Sequence, residues 1–172
     1  MTNNPERSIS RSLINTPSDL SDDSIARVVR TVNPLVADLI ALWVKTKNYH
    51  WHMSGRNFRD YHLLLDEQSD EIIATVDPLA ERVRKLGGKT ITSIGQVSQL
   101  QRVKDNDDAL DHPRAMLEDL MEENKLMAAH LREAHHICDE ANDVGTASIL
   151  EDYIDQTERR TWFLFEATRG VE

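Results

Sequence analysis

Apolar residues recur along most of the chain at steps of three and four, the spacing that places side chains on one face of an α-helix. The pattern predicts four long helices, from about residue 24 to 52, from 57 or 58 to 86, from 113 to 141 and from 145 to 167. No segment shows the alternation of apolar and polar residues that is typical of a half-buried strand. The sequence therefore predicts an all-α fold.

The residues at the ends of these segments support the predicted boundaries. Ser21 or Asp22 can cap the first helix and Asp143 the fourth, because short polar side chains accept hydrogen bonds from the free N–H groups at a helix start. Pro113 suits the first turn of the third helix, and the pair Gly87-Gly88 is typical of a helix end. The end signals agree with four separate helices.

Two prolines lie inside the predicted helices, where proline removes a backbone hydrogen bond and usually bends the helix. We expect Pro34 to kink or split the first helix. Around Pro78 the apolar pattern continues without a change of phase. We therefore expect one bent helix from residue 57 or 58 to residue 86.

A long connection, residues 87–112, joins the second and third helices. Within it, residues 94–103 predict a short helix that crosses over between two helix pairs. Four long helices with one such crossover form a four-helix bundle. Residues 1–23 are polar and predict a flexible N-terminal tail, which leaves residues 24–172 as one domain.

Composition limits the classes of partner and the compartment. The formal net charge of −10 argues against simple electrostatic binding to nucleic acid and favours cations as partners. The longest apolar run is too short to span a membrane, and the N-terminus lacks an apolar signal segment. The single Cys138 cannot form an intrachain disulfide, which agrees with a reducing compartment. We therefore expect a cytoplasmic protein without membrane association.

Four metal-ligand side chains share a face of the second predicted helix. At roughly 100° per residue, they fall within an arc of about 100°; they are His62, Asp66, Asp77 and Glu81. The first two lie one turn apart, and so do the last two. Eleven residues separate the pairs, about 16 Å along a helix, and ligand bonds near 2 Å cannot bridge that distance. Each chain therefore carries two half-sites.

The spacing of the four residues suggests how the half-sites are completed. The midpoint of 62 and 81 coincides with the midpoint of 66 and 77. If this helix packs antiparallel against its own copy about a two-fold axis near residues 71–72, His62 lies opposite Glu81 of the partner and Asp66 opposite Asp77. His50, which precedes a Gly-containing turn, can supply another nitrogen. Such a mixed set suits iron, manganese or zinc, although acidic residues at these steps also occur on any solvated helix face.

The same residues belong to a longer pattern that resembles the Dps family of mini-ferritins. The pattern covers almost forty positions and consists of His50-Trp51, Gly55, Phe58, His62, Asp66, Asp77, Ala80-Glu81-Arg82 and Leu86-Gly87-Gly88. The resemblance implies a ferritin-like four-helix bundle and a ferroxidase centre with two irons, built across a two-fold interface. One chain then contributes His50, His62 and Asp66, and its neighbour contributes Asp77 and Glu81.

The resemblance also implies an activity and an assembly. The expected activity is that of an oxidoreductase, in which Fe(II) is oxidised by hydrogen peroxide and the ferric mineral is stored, which limits oxidative damage. Zinc or manganese are possible substitutes for iron at the site. The expected assembly is a shell of twelve subunits built from two-fold dimers. Acidic residues near the junction of the third and fourth helices, Asp139, Glu140 and Asp143, are candidates for a pore through which iron enters.

Three alternatives remain open at this point. The first is a structural protein that coats DNA and has weak or vestigial metal sites. The N-terminal tail has no lysine, so DNA binding through this tail is disfavoured. A di-iron site inside one bundle needs two Glu-x-x-His pairs, and the chain has one, Glu133 and His136. A dimeric bundle without chemistry would require the symmetric ligand set to be accidental.

Overall fold

The computed structural model describes residues 16–107 and 112–169. These residues form six helices and no strand. In chain order the helices are α1 (Asp22–His52), α2 (Phe58–Ala74), α3 (Val76–Lys85), α4 (Ile94–Leu100), α5 (Pro113–Glu140) and α6 (Val144–Thr168). The all-α prediction is confirmed.

Four long helical segments form the bundle, with α2 and α3 together acting as one of them. α1 packs against α2, α3, α4 and α5, and α5 packs against α6. Polar contacts join α2 to α6: the Tyr61 hydroxyl donates to the Ala167 carbonyl at 3.1 Å, and Arg159 pairs with Glu71 at 2.6 Å. The short helix α4 lies in the long connection, as expected, and it packs against α1.

The predicted helix caps are present. The Ser21 hydroxyl accepts a hydrogen bond from the Ser24 N–H at 3.1 Å, and the Asp143 carboxylate accepts one from the Thr146 N–H at 3.2 Å. Between α5 and α6 the chain turns through Asn142, whose φ of 60° lies in the left-handed region that asparagine tolerates better than most residues. These local signals fix where α1 and α6 begin.

The second predicted helix is not continuous. The prediction of one bent helix from residue 57 or 58 to residue 86 is wrong, because two helices, α2 and α3, occupy this segment. It divides at Thr75, whose N–H and hydroxyl both donate to the Ile72 carbonyl, at 3.1 and 2.7 Å. Pro78 is the cause, because it has no N–H to bond to the Ala74 carbonyl four residues earlier. The break therefore precedes the proline by three residues. In contrast, α1 continues through Pro34 without splitting.

Leucine, valine and isoleucine fill the core between the four segments. The aliphatic side chains among the largest fully buried ones are Leu35, Leu39, Leu42, Leu65, Ile72, Leu79, Leu117, Leu120, Leu131 and Leu150. Close contact extends to the end of α3, where a Cβ on Gly88 would lie 2.4 Å from Val29 Cγ2. Only a residue without a side chain allows this approach.

The predicted N-terminal tail falls largely outside the described residues, which begin at Thr16. The Thr16 hydroxyl donates to the Arg84 carbonyl at 3.0 Å. The division into a tail of residues 1–23 and a domain of residues 24–172 stays a prediction. In the part of the chain that the structure describes, no helix has the length and apolar character needed to cross a membrane.

Candidate metal centre

His50 and His62 hold each other in place through their backbones. His50 lies near the end of α1 and His62 in α2, across a turn that passes through Gly55 at a φ of 97°. Nδ1 of His50 lies 2.8 Å from the His62 carbonyl, and Nδ1 of His62 lies 3.0 Å from the His50 carbonyl. Because a carbonyl only accepts, both Nδ1 atoms carry the hydrogen, and both Nε2 atoms keep a lone pair for a metal ion.

The two imidazole rings are stacked. Their centroids are 3.7 Å apart with an interplanar angle of 23°, and the Phe58 ring lies 4.9 Å from that of His62. Phe58 comes from the first turn of α2, one turn before His62, so the helix itself sets this contact. The stacking limits rotation of both rings and pre-organises the nitrogen ligands.

Asp66, one turn after His62, adds a carboxylate to the same place. Its Oδ1 lies 3.8 Å from His50 Nε2 and accepts a hydrogen bond from Lys47 Nζ at 2.5 Å. The Lys47 hydrogen bond lowers the pKa of Asp66, and the positive charge of Lys47 acts in the same direction. Asp66 is thus an ionised candidate ligand, and its Oδ1 already accepts a hydrogen bond from an ammonium group. We call His50, His62 and Asp66 the histidine half-site.

Asp77 and Glu81 lie on α3 and form the acidic half-site. Both side chains are exposed, and Glu81 pairs with Lys85 at 3.3 Å. Within one chain, and among the described residues, no three His, Cys, Asp or Glu side chains stand close enough to hold a metal ion. The structure brings His50, His62 and Asp66 together and leaves Asp77 and Glu81 apart from them, so their joining across two chains stays a prediction.

Large apolar side chains are exposed near the two half-sites. Trp51 lies on α1 directly after His50, and Leu63 and Ile73 lie on α2; the exposed fractions range from 38% for Ile73 to 63% for Trp51. Exposed apolar groups clustered around ionisable ones are typical of an interaction surface. The sequence analysis missed Lys47, although it lies three residues before His50 and therefore on the same side of α1.

The three residues of the predicted acidic pore do not share one environment. Asp143 is buried, its Oδ1 pairs with Arg82 at 2.7 Å, and its carboxylate also caps α6. Asp139 and Glu140 are exposed at the end of α5, where Glu140 pairs with Arg27 at 2.7 Å. Because both Asp143 oxygens already accept hydrogen bonds, the pore stays a prediction that rests on Asp139 and Glu140.

An arginine occupies the centre of the bundle. Arg160 is 1% exposed, its Nε donates to Asn124 at 3.0 Å and its Nη2 to Thr157 at 2.7 Å, and its Nη1 lies 3.8 Å from Glu71. Burial lowers the pKa of Arg160 to about 10, so the group is still a cation at neutral pH. A buried cation repels metal ions. Glu133 and His136, the one Glu-x-x-His pair, are exposed on α5 instead.

Comparison with known proteins identifies the family. The family model described as a ferritin-like domain matches residues 30–169. A low temperature-induced protein of Nostoc is 33% identical over 152 residues, which is 88% of this chain and 85% of that protein. The DNA protection during starvation protein 1 of Deinococcus radiodurans is 31% identical over 145 residues, 84% of this chain and 70% of that protein.

Solved structures agree with these relatives. DpsC from Streptomyces coelicolor superposes with a TM-score of 0.85 at 30% identity, covering 88% of this chain and 89% of its own. The observed helix order, with one crossover helix between two helix pairs, is that of the ferritin-like four-helix bundle. This chain therefore belongs to the Dps family of ferritin-like proteins.

Proposed function

We propose that this protein is a ferroxidase and iron-storage protein that oxidises Fe(II) with hydrogen peroxide at sites shared by two subunits. The observation that carries the proposal is the histidine half-site, in which two locked imidazoles present free Nε2 atoms beside an ionised carboxylate. The acidic half-site on α3 supplies the carboxylates that ferric iron favours. Membership of the Dps family supports the same activity.

The ligand set suits the charge changes of the reaction. Two ferrous ions, one hydrogen peroxide and two protons give two ferric ions and two waters. Imidazole nitrogens bind the ferrous ions, and Asp66, Asp77 and Glu81 compensate the charge that each iron gains. Because two adjacent irons deliver both electrons together, the peroxide bond is cleaved without release of hydroxyl radical. This outcome is a protective one for a cell under oxidative stress.

The proposal requires a homo-oligomer, since the described residues of one chain do not form a complete site. The exposed apolar side chains around the half-sites would be covered by the partner when α2 and α3 pack antiparallel on their own copies. The same plan extends to a cytoplasmic dodecamer whose interior holds the ferric mineral. The break at Thr75 sets the direction of α3 in that contact. The comparison of sequence midpoints assumed a continuous helix and did not include this change of direction.

Complementation between subunits tests the proposal directly. A His62→Ala/Asp66→Ala variant and an Asp77→Ala/Glu81→Ala variant each lack one half of every site. Co-expressed with different affinity tags and purified through both tags, the mixed assembly should recover about a quarter of the wild-type sites, because one pairing in four joins two intact halves. Stopped-flow oxidation of anaerobically added Fe(II) by peroxide measures the recovery.

A matched control and a negative outcome complete the experiment. Glu67→Ala removes an exposed carboxylate of α2 outside the ligand set and should leave the fast phase unchanged. Mixed assemblies that oxidise iron no faster than their two parents would show that the five side chains do not act across subunits.

DNA coating is the second candidate, and the name of the Deinococcus radiodurans relative is the observation that favours it. The net charge of −10 opposes it, because DNA binding depends on cationic contacts with phosphates. A mobility-shift assay at low salt, with and without divalent cations, separates the two. Retardation that metal-ligand variants do not alter would support DNA coating independently of iron chemistry.

A further inference from the structure

Three buried polar atoms at the centre of the bundle have no hydrogen-bond partner among the described residues. They are Gln68 Oε1, Glu71 Oε2 and Arg160 Nη1. Gln68 is 3% exposed and Arg160 is 1% exposed, so bulk water does not reach these side chains. Buried polar groups in folded proteins are almost always hydrogen-bonded. Three unpaired atoms in neighbouring side chains therefore require an explanation.

The three side chains lie together between α2 and α6. Gln68 and Glu71 are about one turn apart on α2, so they lie on the same side of that helix. Gln68 Nε2 lies 3.4 Å from the Arg160 carbonyl, and because a carbonyl only accepts, Oε1 is left as the free acceptor. Glu71 Oε2 lies 3.8 Å from Arg160 Nη1, which is too far for a direct hydrogen bond. A small molecule can bridge a polar separation of this size.

The other polar atoms around the guanidinium already have partners. Arg160 Nε donates to Asn124 Oδ1 at 3.0 Å, and Nη2 donates to Thr157 Oγ1 at 2.7 Å. The Asn124 amide nitrogen donates to the Leu120 carbonyl at 2.8 Å, and the Thr157 hydroxyl donates to the Tyr153 carbonyl at 2.7 Å. The unpaired set at this place therefore consists of one donor and two acceptors.

This set of atoms selects the chemistry of a ligand. The guanidinium repels a metal cation, because Arg160 is still positively charged at neutral pH. An anion without hydrogens cannot donate to Gln68 Oε1 or to the Glu71 carboxylate. An apolar molecule would leave all three atoms unpaired. A neutral molecule with two O–H hydrogens can donate to both acceptors and accept from Arg160, so its hydrogen bonds match the site.

We propose that the centre of the bundle binds one small hydroxylic molecule, water or hydrogen peroxide, between Gln68, Glu71 and Arg160. Both molecules have two hydrogens to donate and oxygen lone pairs that accept. The peroxide alternative rests on the proposed function, in which this protein consumes peroxide. Peroxide bound here does not meet ferrous iron at the same place, because the guanidinium repels cations. The bound molecule also joins α6 to α2, the helix that carries His62 and Asp66.

Counting the long-lived internal water molecules of the metal-free, full-length protein tests the inference. Oxygen-17 magnetic relaxation dispersion detects water that is held inside a protein. We expect Gln68→Met, which removes Oε1 from a side chain of similar length, to lose one such molecule per chain. Gln99→Met changes an exposed glutamine of α4 and should lose none. Equal counts in the wild type and in folded Gln68→Met would overturn the inference.

A second pair of variants repeats the test from the other acceptor, with thermal unfolding to show that each variant is folded. Glu71→Met removes Oε2 and should also lose one water per chain. Arg159→Met is its matched control, because Arg159 donates to the other oxygen, Oε1, at 2.6 Å. This variant breaks the surface ion pair of Glu71 but keeps Oε2, so it should retain the water. Loss of the water in Arg159→Met alone would overturn the assignment of Oε2.

Crystallography of the metal-free protein separates the two ligands. We expect one density peak within hydrogen-bond distance of Gln68 Oε1, Glu71 Oε2 and Arg160 Nη1, and elongated density for two bonded oxygens after a soak in hydrogen peroxide. An unchanged single peak would assign the site to water and overturn the peroxide alternative. Direct contact between Glu71 Oε2 and Arg160 Nη1, with no density beside them, would overturn the site.

These measurements do not depend on iron, so the inference and the proposed function can fail separately. Absence of iron oxidation by peroxide in the stopped-flow experiment would remove the proposed function and the basis for the peroxide alternative. The water count and the density peak would still decide whether Gln68, Glu71 and Arg160 bind a hydroxylic molecule.

Discussion

At the scale of single residues, the reciprocal bonds between His50 and His62 decide the chemistry of the candidate site. Each imidazole donates through Nδ1 to the other's backbone carbonyl, so both rings adopt the same tautomer. Lys47 keeps Asp66 ionised but also occupies one of its oxygens. The ionised carboxylate of the half-site can attract a metal cation, but the ammonium group of Lys47 already occupies one of its oxygens.

Removing the ammonium group of Lys47 should change metal affinity. In Lys47→Met no internal cation competes for Asp66 Oδ1, and we expect ferrous iron to bind several-fold more tightly in anaerobic calorimetric titrations. Lys125→Met is the matched control, because Lys125 pairs with the exposed Glu122. Weaker binding in Lys47→Met would mean that the ammonium group supports the site instead of competing with the metal.

Cys138 should be inert in the folded protein. Burial raises the pKa of its thiol to about 12, with the Asp143 carboxylate acting in the same direction. The folded pKa lies above the unfolded value of about 8.5, so the stability from the neutral thiol is complete below that value and is lost as pH rises towards the folded pKa. A chromogenic disulfide reagent at mildly alkaline pH should label no thiol before unfolding and one per chain after it. Labelling of the native protein at the unfolded rate would contradict the burial.

At the scale of elements, two close contacts hold α3 and therefore the acidic half-site. The backbone of Gly88 lies against Val29 of α1, and Arg82 pairs with the buried Asp143 at the start of α6. A Cβ on Gly145 would lie 3.3 Å from the Arg82 guanidinium, which shows how closely this side chain packs on the α6 backbone. α3 is fixed at its end and along its inner side.

Gly88→Ala should destabilise the bundle. Its Cβ would lie 2.4 Å from Val29 Cγ2 and 3.0 Å from Val83 Cγ1, and overpacking of this kind costs about 1–3 kcal/mol. Gly95→Ala in α4 meets nothing nearer than Ser93 Oγ at 3.7 Å and should be neutral or stabilising by up to about 1 kcal/mol. Denaturant unfolding at one fixed protein concentration measures both. Equal midpoints for the two variants would show that the α1–α3 contact is looser than described.

Asp143→Asn should cost more stability than any change at the neighbouring exposed acids. It leaves Arg82 without its buried carboxylate and weakens the cap of α6, a loss of roughly 2–4 kcal/mol. Asp139→Asn, which changes an exposed side chain, should stay within about 0.5 kcal/mol of the wild type. The same unfolding measurement applies, and similar losses in both variants would contradict the structural role of Asp143.

At the scale of the whole molecule, the buried positive charge and the candidate metal ligands lie in different parts of the bundle. A buried cation, Arg160, fills the centre of the bundle, while the candidate metal ligands lie at a surface edged by apolar side chains. The net charge of −10 raises the local concentration of cations around the molecule. This separation of charge agrees with the proposed metal chemistry at the surface of the bundle.

Iron entry provides a prediction at this scale. If Asp139 and Glu140 line an acidic pore, the double variant Asp139→Asn/Glu140→Gln should slow mineral growth severalfold while the oxidation of the first irons bound at the sites stays rapid. Stopped-flow absorbance at low and high iron loading separates the two phases, with light scattering to show that the particle is intact. Unchanged mineral growth would remove the pore from these residues.

Much of the fold and half of the site followed from the sequence. Apolar periodicity and end signals such as Ser21 and Asp143 are local, and local energetics decide where helices begin and end. The spacing of His62 and Asp66 placed them together for the same reason, since one helical turn separates them. The pairing of His50 with His62 needed only a short turn between two predicted helices.

Other features were decided by tertiary structure. The helix break at Thr75 is not one of them, because its cause, the missing N–H of Pro78, is local. The bond from Lys47 to Asp66, the inward position of Asp143 and the burial of Arg160 each join segments that are distant in the chain. Sequence spacing gives the direction of a side chain relative to its own helix, and only the packing of helices determines which partner it meets there.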